Sequence, residues 1–213
     1  EMCIRDSSSR VQKHAYVIKN PLPNNIPYGD STREKRIVAV SRLEQQKNIP
    51  MLLRALKIVA EIHPEFVLEI YGDGSERKKI EQLIKELDLE KNIRLKGFCN
   101  NVDEQIVNAY MYVCTSNYEG LSNALLESMA MGLAIVSTDS SGGGAREVIK
   151  DGVNGYLVPI NDDAKLAERM ITLIDNPEKA FAMGQKAIEI RDELSETVVC
   201  DEWEKIINQH DNK

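Results

Sequence analysis

Two cations follow the first predicted strand and lie close to the start of the next predicted helix. Arg42 and Lys47 belong to the segment that ends at Asn48, the expected N-cap of that helix. A guanidinium and an ammonium group beside the free N–H groups of a helix N-terminus suit a diphosphate. The alternative is that both side chains are solvated surface charges, since Lys and Arg are mostly exposed in folded proteins.

A second candidate site lies between Ser116 and Glu127, after the fourth predicted strand. Gly120 allows a ligand to approach the backbone closely. The next helix begins near Ser122 or Asn123, either of which can cap it. The free N–H groups at such a helix start attract an anion or a hydroxyl-rich group.

Two carboxylates flank that helix start. Glu119 precedes the helix, and Glu127 lies about one turn inside it. Each carboxylate can accept a pair of hydroxyl hydrogens, which is what neighbouring sugar hydroxyls require. The alternative is a loop acid and an acid on a helix surface, and the spacing alone does not separate the two interpretations.

Two glycine-rich turns follow other predicted strands. Gly72-Asp73-Gly74 fails as a dinucleotide fingerprint because Arg77 occupies the place of the third glycine. We therefore predict a tight turn there, with Ser75 capping the following helix. Gly142-Gly143-Gly144 predicts a third flexible loop or a simple turn. No GxxxxGK[ST] motif of a Walker-type ATPase occurs in the sequence.

Cysteine and histidine form no metal-binding or triad motif. The cysteines are far apart without a CxxC pair, and no histidine is spaced with an acid or a cysteine as such motifs require. We predict idle thiols and no metal site. The cysteines are Cys3, Cys99, Cys114 and Cys200, and the histidines are His14, His63 and His210.

The composition excludes several classes of function. The 213 residues carry 27 Lys and Arg against 34 Asp and Glu, a net charge of −7, and this acidic, mixed surface does not favour nucleic acid. With 42% hydrophobic and 29% charged residues the chain is typical of soluble globular proteins. No apolar run approaches the roughly 18 residues of a transmembrane helix.

Short β-branched runs alternate with helical patterns from position 36 onward. This alternation is typical of βα units, and most runs lack the polar alternation of half-exposed strands. The predicted fold is α/β: a Rossmann-like, mostly parallel six-stranded sheet with helices on both faces and a helical C-terminus. Ligands bind beyond the carboxyl ends of strands in such sheets, so the candidate segments should meet at one edge. The predicted strands are Ile37–Val40, Phe66–Ile70, Ile93–Leu95, Met111–Cys114 and Ala134–Ser137, and the β signal ends with Gly155–Pro159.

Local sequence signals divide the chain into four segments. A disordered or non-native tail precedes a segment with a short strand at Ala15–Ile18 and an interdomain-type linker stiffened by Pro21 and Pro23. The Rossmann-like domain follows, and Asn176-Pro177 separates it from the C-terminal helices. The four segments are residues 1–14, 15–35, 36–175 and 176–213.

Taken together, the order and spacing of these motifs resemble the C-terminal half of family 4 glycosyltransferases, which have the two-domain GT-B fold. The resemblance runs from about Val17 to Trp203. It rests on Arg42 and Lys47, Gly72-Asp73-Gly74, the pair Glu119 and Glu127 around Gly120-Leu121-Ser122-Asn123, and Gly142–Glu147 followed by Asp151–Pro159.

The resemblance implies that this half binds a nucleotide-sugar donor, with uridine diphosphate as the first expectation and guanosine diphosphate as the second. Arg42 and Lys47 would bind the diphosphate and stabilise the charge that grows on it as the leaving group. Glu127 would bind the ribose hydroxyls. Gly72 would belong to the donor site, and the segment Gly97-Phe98-Cys99 would lie close to the base.

Glu119 would hold the transferred sugar rather than act as a nucleophile. By the same resemblance it would act together with the backbone of Gly120, Leu121, Ser122 and Asn123. The resemblance implies transfer with retention of anomeric configuration. It implies no metal and no cofactor other than the nucleoside-diphosphate sugar as co-substrate.

Family members carry the acceptor site on a preceding domain, which we expect to be absent from these residues. The acceptor would be a glycan or a lipid-linked molecule in polysaccharide or glycoconjugate biosynthesis. We therefore expect this chain alone to be inactive. We also expect a cytoplasmic protein whose full-length form associates peripherally with the inner face of the membrane.

Two other functions stay open at this point. A sugar-nucleotide epimerase of similar two-domain architecture would use the same donor pocket without an acceptor. A binding-only module would keep the nucleotide pocket and lack activity.

Overall fold

The computed structural model describes residues 9, 15–30 and 32–211. The predicted tail at 1–14 lies outside the described residues, apart from residue 9. The strands are β1 (Glu34–Val40), β2 (Val67–Tyr71), β3 (Ile93–Gly97), β4 (Ala109–Cys114), β5 (Ala134–Thr138) and β6 (Tyr156–Val158). The helices are α1 (Ile49–Ile62), α2 (Arg77–Glu86), α3 (Val102–Ile106), α4 (Asn123–Ala130), α5 (Asp163–Asp175), α6 (Pro177–Ala187), α7 (Ile190–Glu193) and α8 (Glu196–Asp211), with short 3₁₀ turns at Gln45–Lys47 and Ala145–Glu147.

The six strands form one parallel sheet in the order β3-β2-β1-β4-β5-β6. This is the strand order of a doubly wound Rossmann sheet. In the centre, Ile37 of β1 pairs with Leu68 on one side and Met111 on the other. The predicted fold class is confirmed, and the strand order reverses direction between β1 and β4.

The strand predicted at Ala15–Ile18 is wrong. Residues 15–20 have no regular secondary structure, and Tyr16 and Val17 are 52% and 75% exposed. A β-branched run becomes a strand only where it finds a pairing partner and a surface to cover. None of the six strands of the described sheet pairs with this run. The segment that follows it packs through Leu22 and Ile26, both buried.

Helices cover both faces of the sheet, as predicted. Helices α1, α2 and α5 pack on one face, where Leu52 and Leu56 of α1 are fully buried. Helices α3, α4 and α7 pack on the other face together with Leu22 and Ile26. Burying each such side chain contributes about 1.5–3 kcal/mol. The sheet, including the carboxyl ends of its strands, lies between these two hydrophobic cores.

Arg191 of α7 fastens the linker to the domain. Its guanidinium donates hydrogen bonds to the carbonyl oxygens of Ile26 (2.9 Å), Pro27 (2.8 Å) and Ala130 (2.7 Å). The Cζ atom also lies 3.6 Å from the centre of the Tyr28 ring, in cation–π contact. The linker is therefore joined to the C-terminal end of α4 through one side chain.

The C-terminal helices run along the outside of the domain. In α8, Val199 is buried, whereas Trp203 and Ile207 are each 54% exposed. Within the part of the chain that the structure describes, each helix is too short or too polar to cross a membrane.

Candidate functional site

The candidate site lies where the carboxyl ends of β1 and β4 meet. Because the strand order reverses between these two strands, their following loops diverge and leave a crevice, which is where doubly wound folds bind ligands. A cavity of about 10 Å³, enough for one water molecule, lies between the strand ends. Its polar lining comes from Ser41, Lys47, Thr115, Ser116 and Ser122.

Lys47 and Glu119 contact each other across this crevice. Lys47 Nζ forms an ion pair with Glu119 Oε2, and the two side chains are only 13% and 19% exposed. Ser116 Oγ donates a second hydrogen bond to the same carboxylate oxygen, at 2.9 Å. The structure thus brings two of the predicted site residues together, although they are far apart in sequence.

Hydrogen bonds also connect the loop after β4 to the loop after β5. Thr138 Oγ1 donates to the carbonyl oxygen of Ser116 at 2.7 Å. The backbone N–H of Ser141 donates to the carbonyl oxygen of Asn117 at 3.3 Å. The loops that follow β1, β4 and β5 are therefore joined, since Lys47 already pairs with Glu119.

Arg42 is exposed on the loop after β1. Within residues 15–30 and 32–211 its guanidinium has no hydrogen-bond partner. The next acid, Glu44, accepts hydrogen bonds from the Oγ and the backbone N–H of Ser75, at 2.7 and 3.1 Å. Those bonds, with a smaller contribution from Arg42, lower the pKa of Glu44. The predicted Ser75 cap is wrong: Glu76 holds the N-cap position of α2, and Ser75 bonds to Glu44 instead.

The glycine turns let neighbouring loops pack against each other. A Cβ atom on Gly72 would lie 2.0 Å from the carbonyl oxygen of Ser41, and one on Gly144 would lie 1.9 Å from that of Gly120. Real Cβ atoms do not approach oxygen so closely, so these positions require glycine. Gly142 to Gly144 therefore form a packed turn. Around Gly120 itself a Cβ would meet no atom within 4 Å among the described residues.

The N-terminus of α4 faces the site without a side-chain cap. Ser122 holds the N-cap position, as predicted, but its side chain makes no cap hydrogen bond. Asn123 Oδ1 instead accepts from Asn20 Nδ2 of the linker, at 3.2 Å. The backbone N–H groups of the first turn of α4, directly after Leu121 and Ser122, thus donate no hydrogen bond to the predicted capping side chains.

Glu127 is a half-buried carboxylate in the second turn of α4. Burial, followed by the nearby carboxyl group of Asp103, raises the pKa of Glu127 to about 7. Burial also raises the pKa of Asp103. In the described ranges the carboxylate of Glu127 has neither a hydrogen-bond partner nor a paired cation. Such a group has acceptor oxygens free for hydroxyl donors. Asp103 belongs to no motif, so sequence reasoning missed it.

Phe98 marks the outer part of the same edge. It is 81% exposed and follows Gly97, whose φ of +71° turns the chain. The N–H of Gly72 donates to the carbonyl oxygen of Gly97 at 2.8 Å, so the turns after β2 and β3 are joined. The structure gives no contact between Phe98 and Lys47, Glu119 or Glu127.

Asn48 is a site residue whose role the sequence did not reveal. It holds the predicted N-cap position of α1, yet its side chain makes no cap hydrogen bond and contacts Asn117 and Asn161 instead. The only sequence signal was an asparagine directly before a helix, and that pattern indicates an ordinary cap.

Metal-ligand clusters and disulfides are not found in the described ranges. No group of three or more His, Cys, Asp and Glu side chains there could hold a metal ion. The described cysteines Cys99, Cys114 and Cys200 are free thiols, and Cys3 lies outside those ranges.

Comparisons with known proteins identify the family of the chain and agree with its fold. The family model "Glycosyl transferases group 1" matches residues 26–190. The poly(glycerol-phosphate) alpha-glucosyltransferase of Bacillus subtilis is 28% identical over 190 residues, covering 89% of this chain and 28% of that protein.

Solved structures show the same fold. S. aureus TarM, crystallised with UDP, superposes with a TM-score of 0.85 at 26% identity, over 93% of this chain and 41% of TarM. The C-terminal domain of LpcC, a group 1 family protein of Francisella tularensis, gives 0.68 at 23% identity, over 78% of this chain and 93% of that domain. The chain thus spans well under half the length of the glucosyltransferase and of TarM. Its Rossmann-like sheet is that of GT-B proteins, and the chain belongs to the group 1 glycosyltransferases.

Proposed function

We propose that this domain is the donor-binding, C-terminal half of a retaining, family 4 glycosyltransferase. It would take a sugar from a nucleoside diphosphate, uridine diphosphate first. One observation carries the proposal: Lys47 and Glu119 meet at the point where the strand order reverses, so a cation and a hydroxyl acceptor share one crevice. The TarM structure with UDP supports the choice of nucleotide.

The diphosphate would lie between the loop after β1 and the start of α4. Lys47 would supply one positive charge, and Arg42, exposed and without a described partner, would supply another. Both would stabilise the negative charge that develops on the leaving phosphate as the glycosidic bond breaks. The N–H groups at the start of α4 would add to this stabilisation.

The transferred sugar would be held by Glu119 and by the backbone from Gly120 to Asn123. Glu119 already accepts hydrogen bonds from Lys47 and Ser116, so its carboxylate is fixed in place before the sugar arrives. Because Lys47 occupies one of its oxygens, Glu119 is suited to accepting hydroxyl hydrogens and poorly suited to attacking carbon.

The nucleoside would lie towards β2 and β3. Glu127 would accept the two ribose hydroxyls, which would replace the water that its half-buried carboxylate has lost. The exposed ring of Phe98 offers an apolar surface for the base, and Gly72 and Gly97 hold the turn beside it.

The acceptor would bind on a second domain, so we expect transfer to need both halves of the enzyme. Orienting donor and acceptor together contributes roughly 7–11 kcal/mol to such reactions. The poly(glycerol-phosphate) acceptor named for the B. subtilis relative supports a polymeric acceptor in surface polysaccharide synthesis. In this proposal residues 15–35 link the domains, residues 36–175 bind the donor, and residues 176–213 form the C-terminal helices. The full enzyme would work on the cytoplasmic side, at the membrane face where such polymers are built.

Calorimetry with UDP, with and without a chelator, tests the proposal. We expect binding that is unchanged by the chelator, because Lys47 and Arg42 supply the charges that a metal would otherwise supply. Glu127→Gln should weaken both UDP and a UDP-sugar, since both contain ribose. Glu119→Gln should weaken the UDP-sugar and spare UDP.

The mutants also define the contrary outcomes. Binding that disappears with chelator would contradict metal-free recognition, and equal losses for both ligands in both mutants would contradict the separate roles of the two acids. Glu90→Gln, an exposed acid after α2, is the matched control and should change neither affinity. If a sugar nucleotide is altered without transfer to an acceptor, the activity is that of an epimerase.

A further inference from the structure

We infer that Asn48 is a positioning residue that fixes the loop of Lys47 relative to the loop of Glu119. The inference rests on the proposed function. Lys47 and Glu119 belong to loops after different strands, so a ligand that contacts both depends on how those loops lie relative to each other. The ion pair between them cannot fix that arrangement alone, because the donor must compete for both side chains.

Asn48 has an unusual conformation for a residue at the start of a helix. Its φ and ψ are 47° and 43°, in the left-handed region, and it is only 9% exposed. Asparagine tolerates this region better than most residues. A capping side chain would accept a hydrogen bond from the first turn of α1, and this one makes no such bond. Asn48 therefore combines a left-handed backbone conformation with a side chain that forms hydrogen bonds outside α1.

The side-chain amide of Asn48 joins three loops. Its Nδ2 atom donates to Asn117 Oδ1 and to Asn161 Oδ1, each at 2.8 Å. A single amide nitrogen carries two hydrogens, and both are used here. Asn117 belongs to the loop after β4 and Asn161 to the turn between β6 and α5. The loop after β1 is thereby fixed to both.

Three further hydrogen bonds connect the loops that carry the cation and the acid. Thr115 Oγ1 donates to the carbonyl oxygen of Lys47 at 2.9 Å. The N–H of Asn117 donates to the carbonyl oxygen of Gln46 at 2.8 Å, and Gln46 Nε2 donates to that of Tyr118 at 2.8 Å. Most of these bonds involve the backbone, so they hold the two chain segments side by side. The Asn48 amide adds the link between their side chains.

The consequence for binding depends on how many of the two groups a ligand uses. UDP would engage Lys47 and helix α4 but not the Glu119 carboxylate, so it depends less on the separation between the Lys47 and Glu119 side chains. A UDP-sugar would engage both, so it also needs their correct separation. Loosening the loops should therefore weaken the UDP-sugar more than UDP.

Asn48→Gly is the appropriate test because glycine adopts a positive φ freely. The substitution keeps the backbone conformation and removes only the amide. UDP-glucose and UDP-N-acetylglucosamine are both tried, and the one that the wild type binds more tightly is used. We expect the substitution to lower the affinity for that UDP-sugar about tenfold, which corresponds to the loss of roughly one to two hydrogen bonds. The affinity for UDP should fall by less than about threefold. Asp88→Gly is the matched control: Asp88 also has a positive φ, 55°, but it is exposed and lies after α2. It should leave both affinities unchanged.

Equal losses for UDP and the UDP-sugar, or a lower melting temperature with both affinities unchanged, would overturn the positioning role. Hydrogen exchange of the ligand-free chain provides a second readout. In Asn48→Gly the N–H of Asn117 should exchange at least several-fold faster, while that of Val113 in β4 stays protected. If the wild-type chain binds no UDP, the proposed function fails by itself. In that case unchanged exchange at Asn117 would overturn the positioning role, and faster exchange would support it.

Discussion

The two ends of helix α4 differ in the hydrogen bonds that they form with the rest of the chain. At the C-terminal end, the carbonyl oxygen of Ala130 accepts a hydrogen bond from Arg191 at 2.7 Å. Those of Met131 and Gly132 accept from Arg33 at 3.2 and 2.9 Å. Two cations thus compensate the negative end of the helix dipole.

The N-terminal end receives no comparable compensation. Ser122 makes no cap bond, and the half-buried carboxylate of Glu127 has no hydrogen-bond partner in the described part of the chain. Buried polar groups in proteins are almost always hydrogen-bonded. The difference teaches that contacts within the fold compensate the C-terminal end, whereas the N-terminal end lacks a side-chain cap from Ser122, as the proposed donor site requires. Three substitutions test this division, and the largest expected effect comes first.

Arg191→Ala should destabilise the chain without changing ligand affinity. It removes three hydrogen bonds to backbone carbonyls and the contact with Tyr28, so we expect a loss of about 3 kcal/mol and a melting temperature lower by roughly 10 °C. Thermal denaturation measures the first effect, and UDP calorimetry should show no change. The control is Lys186→Ala on α6, which removes an exposed ion pair with Glu189. It should lower the free energy of unfolding by less than about 0.5 kcal/mol. A large loss of UDP affinity in Arg191→Ala would break the division between the two ends.

Arg42→Ala should show the opposite behaviour. Its side chain is exposed and has no described hydrogen-bond partner, so stability should change by less than about 0.5 kcal/mol. Loss of a charge-assisted contact should weaken UDP about tenfold or more. Calorimetry beside Lys85→Ala, which removes an exposed cation on α2, measures the difference. Equal affinities in the two variants would identify Arg42 as an ordinary surface charge.

Glu127→Gln should have a small, stabilising effect that depends on pH. The pKa of Glu127 is about 7 in the fold, above its usual value near 4.3, so ionisation disfavours the folded state. The penalty is absent below about pH 4 and complete above about pH 7. The glutamine variant should therefore equal the wild type at pH 4 and be more stable by about 1 kcal/mol at pH 8, since partial solvent access reduces the full effect.

Binding by Glu127 should have the corresponding pH profile. A carboxylate that accepts ribose hydroxyls must be ionised, so UDP affinity of the wild type should fall roughly fourfold from pH 8 to pH 6.5. The glutamine variant should bind more weakly and lack this slope. The groups facing Glu127 are Asp103 of α3 and Tyr112 of β4, and burial raises the pKa of that tyrosine far above this range. A profile shared by both proteins would assign the slope to a group other than Glu127, such as the terminal phosphate of UDP, whose second ionisation lies at about pH 6.

The sequence was sufficient for the fold class because its signals are local and repeated. Uninterrupted β-branched runs such as Ile37–Val40 are typical of strands buried on both faces, and their alternation with helical patterns favours a parallel sheet. Asn176-Pro177 marked a helix boundary correctly, since α5 ends at Asp175 and α6 begins at Pro177. Ala15–Ile18 shows the limit of the method: its residues favour a strand, but strand formation depends on a partner that no local pattern specifies.

What the sequence determined by itself was which residues could do chemistry and at which strand ends they lie. Only the tertiary structure decided which of them meet. Lys47 pairs with Glu119 because β1 and β4 are neighbours in the sheet, whereas Ser75 turned out to bond to Glu44, and Asn48 to two other loops. These are contacts between residues far apart in the chain. Whether they form depends on strand order and loop packing, which are properties of the assembled sheet and not of any segment within it.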